Sequence, residues 1–240
     1  MDYSISCKYS IRLLEKLKLL NTQNTLDFKV INKAIYFARK YHGNQKRKSG
    51  EPYYSHPLEV AYMIADYNLK TDIIAASILH DIIEETEVTV EMIQSTFGNR
   101  IAEMVDRLTR DRPDGTKLSV EQILNNAYQL KDKEVLLIKL FDRLHNIQTI
   151  SIKPLAKIVH EANQTIELFI LLSIYLQNHD IENIILEECY KALSVKTALP
   201  KLELQKWMSS ISNSKENDDT SQLLSRVFEN EAPPEYKILK

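Results

Sequence analysis

Residues Thr71–Glu85 read TDIIAASILHDIIEE. Ile73, Ile74, Ala75, Ala76, Ile78 and Leu79 form an apolar run with no turn former inside it, which predicts a buried helix from Thr71 to about Glu84, with Thr71 or Asp72 near its N-cap. The run ends on His80 and Asp81, followed by Glu84 and Glu85. Four polar or ionisable groups at the end of a buried helix need partners, because burying them unpaired is costly.

The flanking stretches carry the same helical signature. Phe28 to Tyr41 places Val30, Ile31, Ala34, Ile35, Phe37, Ala38 and Tyr41 at amphipathic spacing. HGNQKRKSGEPYYSHP, residues 42–57, is a polar loop rich in turn formers, and a helix is expected to start near His56 or Pro57 and run to about Tyr67. Further helices are expected at Val90–Thr96, Asn99–Arg110, Ser119–Gln129 and Lys133–Ile150, with Asp111–Lys117 as a loop. Pro154–Gln177 and Ile181–Leu193 read as an antiparallel pair, and Leu199–Ile211 as one more helix with Trp207 as a packing residue. Ser212–Ser221 lacks periodicity and reads as a linker.

With 4 Gly and 7 Pro in 240 residues, these segments point to an all-α fold of roughly ten helices. The net charge of -2 argues against a nucleic-acid binder. Cys7 and Cys189 offer neither zinc spacing nor a disulfide framework. The longest apolar run, Ile166–Leu176, is too short to span a bilayer, and MDYSISCKYS lacks the features of a signal peptide. A cytoplasmic protein without membrane contact is the expectation.

Four candidate metal ligands lie on three segments: His56, His80 with Asp81, and Asp142. Two imidazoles and two carboxylates suit a divalent ion of intermediate hardness such as Mn²⁺ or Fe²⁺, with positions left open. Such an ion makes hydroxide available near neutral pH. Glu84 lies four residues after His80, on the same face of a continuous helix, where it could move a proton; Glu85 is one position round. Asn146 is four residues after Asp142, placed to donate a hydrogen bond to a substrate, and His145 shares that side. Lys46, Arg47 and Lys48 could meet an anion. Each has a structural alternative. His56 could cap a helix, Asp142 could pair with the adjacent Arg143, the basic run could be a solvated loop, and Tyr53 and Tyr54 could fill the core, the reading favoured for the tyrosines. His42, His160 and His179 are read as structural.

Taken in order, HGNQKRKSGEPYYSHPLEVA, AASILHDIIEET, FGNRIAEMVDRLTR and IKLFDRLHNIQT resemble the HD-domain metal-dependent phosphohydrolases, and more narrowly the hydrolase domain of the RelA/SpoT alarmone enzymes. The resemblance covers about Phe37 to Ile150. It implies a helical HD-domain bundle that hydrolyses the 3′-pyrophosphate of guanosine tetra- or pentaphosphate, (p)ppGpp, using Mn²⁺ or another divalent metal. Carried over by motif, it implies His56, His80, Asp81 and Asp142 as metal ligands and Glu84 with Glu85 as the catalytic acidic pair. It also implies Arg47, Lys48, Ser49, Asn146 and Thr149 as substrate contacts. The chain departs from the family in three places. Glu84-Glu85 stands where Glu-Asp is usual, Ile147-Gln148 where Met-Arg is common, and the loop DRPDGTKLSVEQ is short.

The expected organisation is a hydrolase domain over 1–152, a helical extension over 153–211 similar to the connector before a synthetase domain, and a flexible tail over 212–240. No synthetase-like sequence follows, so a hydrolase-only protein is expected, with a separate synthetase-like protein as the partner to consider. Two other readings stand beside it: an HD hydrolase of another 3′-phosphorylated nucleotide, and a nucleotide-binding regulatory protein with little turnover, which Glu85 and Gln148 favour.

Overall fold

A computed structural model of the protein describes residues 6–112 and 115–194. The expected helix at Leu199–Ile211, Trp207, the linker and the tail lie outside the described residues. Within them the chain is all-α, with no strand and only two isolated bridges, Lys46 with Pro52 and Asp111 with Lys117.

The helical segments are α1 (Lys8–Leu20), α2 (Phe28–His42), α3 (Ser55–Ile64), α4 (Thr71–Leu79), α5 (Ile82–Glu85), α6 (Val90–Phe97), α7 (Asn99–Leu108), α8 (Val120–Gln129), α9 (Lys133–Gln148), α10 (Leu155–Gln164), α11 (Ile170–Tyr175) and α12 (His179–Ser194). A 3₁₀ turn, Ile150–Ile152, follows α9, and a π turn, Thr165–Phe169, joins α10 to α11. Since α5 follows α4 after two residues and α10 continues into α11, these amount to the roughly ten helices expected.

Caps explain most of the boundaries. Asp27 accepts from the Lys29 and Val30 amides at the start of α2, and Asp132 accepts from Val135 at the start of α9. Ser119 and Gln122 form a capping box at α8. Gly98, at φ 90, turns the chain between α6 and α7 in a backbone region that other residues rarely adopt.

Helix α1 was not foreseen, although Ser10, Leu13 and Leu17 bury one face at helical spacing. Thr71 stands next to the N-cap residue of α4, Lys70, and its hydroxyl accepts from the Asp27 amide at 2.8 Å. The length of that helix is corrected. The helix that begins at Thr71 does not run on to Glu84, because it stops at Leu79 and restarts at Ile82.

Helix α4 is the centre of the bundle. Every residue from Ile73 to Leu79 is buried, and the helix packs against α2, α3, α7 and α9. Burying Ile73, Ile74, Ile78 and Leu79 contributes about 1.5–3 kcal/mol each. Helix α9 is buried from Val135 to Leu144 and packs against α3, α8 and α12. These two helices, with α3 between them, bring the chemistry-bearing residues to one point. No helix among the described residues is long and apolar enough to cross a membrane.

Candidate metal centre and adjoining cavity

His56 sits in the first turn of α3, His80 and Asp81 at the break after α4, and Asp142 in the middle of α9. One ligand atom each from His56, His80 and Asp142 lies within 4.8 Å of the others, and all three residues are buried. Asp81 closes the set. Its Oδ1 is 3.0 Å from His80 Nε2 and its Oδ2 is 3.3 Å from His56 Nε2. Asp142 Oδ1 is 3.2 Å from His56 Nε2 and 3.6 Å from His80 Nε2. The four ligands expected from the sequence therefore converge.

The proton positions decide what such a cluster can hold. His80 Nδ1 is 2.7 Å from the Ser77 carbonyl, which can only accept, so Nδ1 carries a proton and Nε2 is the nitrogen left to face the cluster. That Nε2 is buried without a hydrogen-bond partner. His56 Nδ1 is 2.8 Å from His145 Nδ1. Burial first, then the charges of His56 and Arg47, push His145 down to about 3, so it is neutral and can accept from His56. Both His56 and His80 thus turn Nε2 toward two carboxylates, Asp81 and Asp142. Two carboxylates held this close need positive charge beside them, whether from a proton on a ring or from an ion that replaces it. A divalent ion fits that requirement, and His56, His80 and Asp142 could hold one.

The same demand for positive charge appears in the protonation energetics. Burial pushes His80 down, but Asp81 and Asp142 outweigh it and hold the ring up at about 10. Burial also opposes the Asp142 carboxylate, and Lys139 together with His56 and His80 outweighs it, holding the carboxyl well below the usual carboxylate range. Lys139 Nζ is 3.0 Å from Asp142 Oδ2. Arg143, the partner the sequence suggested for Asp142, turns away instead to Glu161 at 2.5 Å and Gln164 at 2.7 Å. Lys139 was missed; its signal was a lysine in an apolar helix three residues before Asp142.

The cluster opens into a cavity of about 520 Å³. Asp81, Glu84, Glu85 and Asp142 line one side, and α10 and the π turn contribute His160, Gln164 and Phe169 to the other. Glu84 Oε1 accepts from the Arg110 amide at 2.5 Å. Burial raises its pKa, and that amide bond partly offsets the rise. A smaller cavity of about 160 Å³ is lined by Arg47, Lys48, Ser49, Tyr53, Thr149, Ile152 and Lys153.

Arg47, Tyr53 and Lys153 line both cavities. The expected substrate-side residues are thereby gathered as well. Arg47 Nη2 lies 3.5 Å from both Asn146 Oδ1 and Thr149 Oγ1, while its Nη1 is buried without a partner. Asn146 Nδ2 donates to Asp142 Oδ1 at 2.7 Å, tying the two ends of the site together. Gln148 is exposed and lines neither cavity.

The two tyrosines divide. Tyr54 is core, as read, but Tyr53 is a cavity wall whose ring stacks on His42 at 4.9 Å. His42 is buried, and His160 is an exposed lining residue rather than a purely structural one. His179 is exposed and pairs with Glu182 at 3.6 Å.

A buried His/His-Asp/Asp cluster on a helical bundle defines a class of metal-binding helical domain, and comparison with known proteins specifies it. Residues 34–173 match the HD domain family model, and the chain belongs to that family. The chain is 31% identical over 216 residues to a probable guanosine-3′,5′-bis(diphosphate) 3′-pyrophosphohydrolase of Mycoplasma genitalium, covering 84% of this chain and 29% of that one. It is 34% identical to the guanosine-3′,5′-bis(diphosphate) 3′-pyrophosphohydrolase of Aquifex aeolicus, covering 76% and 27%. It is 38% identical to the GTP pyrophosphokinase rsh of Brucella ovis, covering 58% and 19%. The chain thus spans less than a third of the length of these curated relatives. Among solved structures, a metazoan ortholog of SpoT, described as hydrolysing ppGpp, aligns with a TM-score of 0.45 at 18% identity, covering 80% of this chain and 98% of that one.

Proposed function

We propose that this chain hydrolyses guanosine 3′-pyrophosphates, (p)ppGpp, to GDP or GTP and pyrophosphate, with Mn²⁺ as the divalent ion. The observation that carries this reading is the pair of buried histidine Nε2 atoms facing two carboxylates, with Glu84 in the wall of the adjoining cavity and Arg47 and Lys48 beside it. The names of the Mycoplasma and Aquifex relatives support the substrate.

His56, His80, Asp81 and Asp142 would hold the ion, which when bound supplies Lewis-acid charge and makes a water acidic near neutral pH. The other steps fall to the chain itself. Arg47, Lys48 and Ser49, with Asn146 and Thr149, seat the nucleotide so that its 3′-diphosphate points to the cluster. Water attacks the phosphorus attached to the ribose 3′ oxygen, and the bond from that phosphorus to the 3′ oxygen breaks. Glu84, its pKa raised by burial, takes the proton from the water and returns it to the departing 3′ oxygen. Lys139 keeps Asp142 ionised throughout.

In this reading residues 1–152 form the hydrolase unit, and the extension that begins at residue 153 serves it through Lys153, His160, Glu161, Gln164 and Phe169 in the cavity wall. The relatives named GTP pyrophosphokinase support a separate synthetase-like partner as the source of the substrate. A second reading, nucleotide binding with little turnover, is favoured by Gln148, whose exposed side chain brings no cation to the cavities. One assay separates the two: purified protein with Mn²⁺ is given guanosine 3′,5′-bis(diphosphate), and pyrophosphate release is followed. Release is expected. Tight binding without release would replace the first reading by the second, and faster release from another 3′-phosphorylated nucleotide would change the substrate.

A further inference from the structure

Helix α5 carries both Glu84 and Glu85 on four residues. A single helical turn has no stability of its own, because nucleation costs more than one hydrogen bond returns. At its ends the Glu85 amide donates to the Asp81 carbonyl at 3.1 Å and the Thr86 hydroxyl to the Ile82 carbonyl at 2.6 Å. Something outside the segment has to hold it.

The loop after α2 does so. Gln45 Nε2 donates to the Glu85 carbonyl at 2.7 Å. A carbonyl can only accept, so the amide nitrogen of Gln45 faces Glu85 and its oxygen faces the other way. That oxygen is 2.9 Å from His42 Nδ1, which must therefore carry a proton and donate. Burial favours the neutral ring, which has one proton to place, and it is placed here. His42 stacks on Tyr53 at 4.9 Å with 22° between the planes.

The Tyr53 amide bonds back to the Gln45 carbonyl at 2.9 Å, and burial, with the neighbouring Asp81 and Glu85, keeps the Tyr53 hydroxyl protonated. Gln45 is thus held by His42 and Tyr53 on one side and holds Glu85 on the other.

We propose that Gln45 is a positioning residue, which ties the helix bearing Glu84 and Glu85 to the loop that carries Arg47 and Lys48. Arg47 follows two residues later and reaches Asn146 and Thr149 on the opposite wall. A nucleotide seated by the loop then fixes the carboxylates at the same time. Glu85 is held through its backbone carbonyl, which meets Gln45, so the hold does not depend on its side chain. The coupling to catalysis rests on the hydrolase reading; the brace itself does not.

The test uses Gln45→Leu and Gln45→Glu in the full chain. In Gln45→Leu, metal-free, amide exchange across residues 82–86 is expected to speed up by about fivefold, the worth of one net hydrogen bond. With Mn²⁺ and guanosine 3′,5′-bis(diphosphate), kcat should fall about 10- to 100-fold, the cost of misplacing a group by about an ångström, while GDP affinity stays within about twofold. Gln45→Glu keeps the acceptor for His42. Ionised, it sets a carboxylate against the Glu85 carbonyl; protonated, its O–H donates there. Its excess of amide exchange across residues 82–86 over the natural chain should therefore shrink as the pH is lowered from about 6 to about 4, through the ordinary range of a glutamate. His42 from α2, Glu85 from α5 and Tyr53 from the loop titrate in both proteins and cancel in that ratio. Unchanged exchange at 82–86 in Gln45→Leu, or a Gln45→Glu excess independent of pH, overturns the brace, whether or not the nucleotide proves to be the substrate. Faster exchange with unchanged kcat overturns the positioning role. Absence of turnover in the natural chain overturns the hydrolase reading alone.

Discussion

Helices α4 and α9 solve the same problem in opposite ways. Both are apolar, both are buried, and both deliver ionisable groups to one point. On α9 the groups that matter, Lys139, Asp142 and Asn146, are spaced by three and four residues, so they share a face and the backbone ladder continues past them. Lys139 and Asn146 both bond Asp142, at 3.0 and 2.7 Å. On α4 the ligands are adjacent. Neighbouring residues on a helix point about 100° apart, so His80 and Asp81 cannot both face one ion from a continuous helix. The helix ends at Leu79, and Asp81 takes φ -97 and ψ -5, in the sparsely allowed bridge region where many active-site residues sit. Spacing of three or four keeps a helix; spacing of one breaks it. The break is also why α5 needs its brace.

The largest effect is expected on the broken side. His80→Ala should abolish Mn²⁺ binding by calorimetry and lower turnover at least about a thousandfold, since metal charge stabilisation is worth several kcal/mol. Retained turnover would show that the ion is held elsewhere. On the continuous side, Lys139→Met leaves Asp142 buried without its cation. In metal-free protein this should cost about 3 kcal/mol in denaturant unfolding, and added Mn²⁺ should restore part of the loss. No cost would mean that α9 does not depend on its internal pairing.

The smallest effect is expected at α5. Burial raises Glu84 above its ordinary value of 4.5, so the folded protein binds this proton more readily than the unfolded chain. The stability it contributes is full below 4.5 and is lost as pH rises through the folded value. Glu84→Gln should therefore have a slightly higher Tm than the natural chain at neutral pH, and the margin should vanish as pH falls below about 4. A margin that grew toward acid would have the wrong sign and would reject the burial assignment.

Much of this was legible beforehand because it is local. Periodicity and caps mark α2, α6, α8 and α9 to within a residue or two, since amphipathic spacing and N-cap chemistry act over a few positions. The break at His80 was not read, because an apolar run followed by polar residues looks continuous until the direction each side chain must point is known. Tyr53 was read as core because an aromatic pair in sequence says nothing about which ring meets the cavity.

The sequence by itself determined the fold class, most of the helices and the four residues that converge on one point, because each depends on residue type and short spacing. Tertiary structure alone decided their partners. Gln45 meets Glu85 across 40 positions and His56 meets Asp142 across 86. Such contacts depend on how helices pack, and packing follows the whole buried surface rather than any single stretch of chain. Only the packed bundle turns two histidine Nε2 atoms toward two carboxylates and so creates the demand for positive charge.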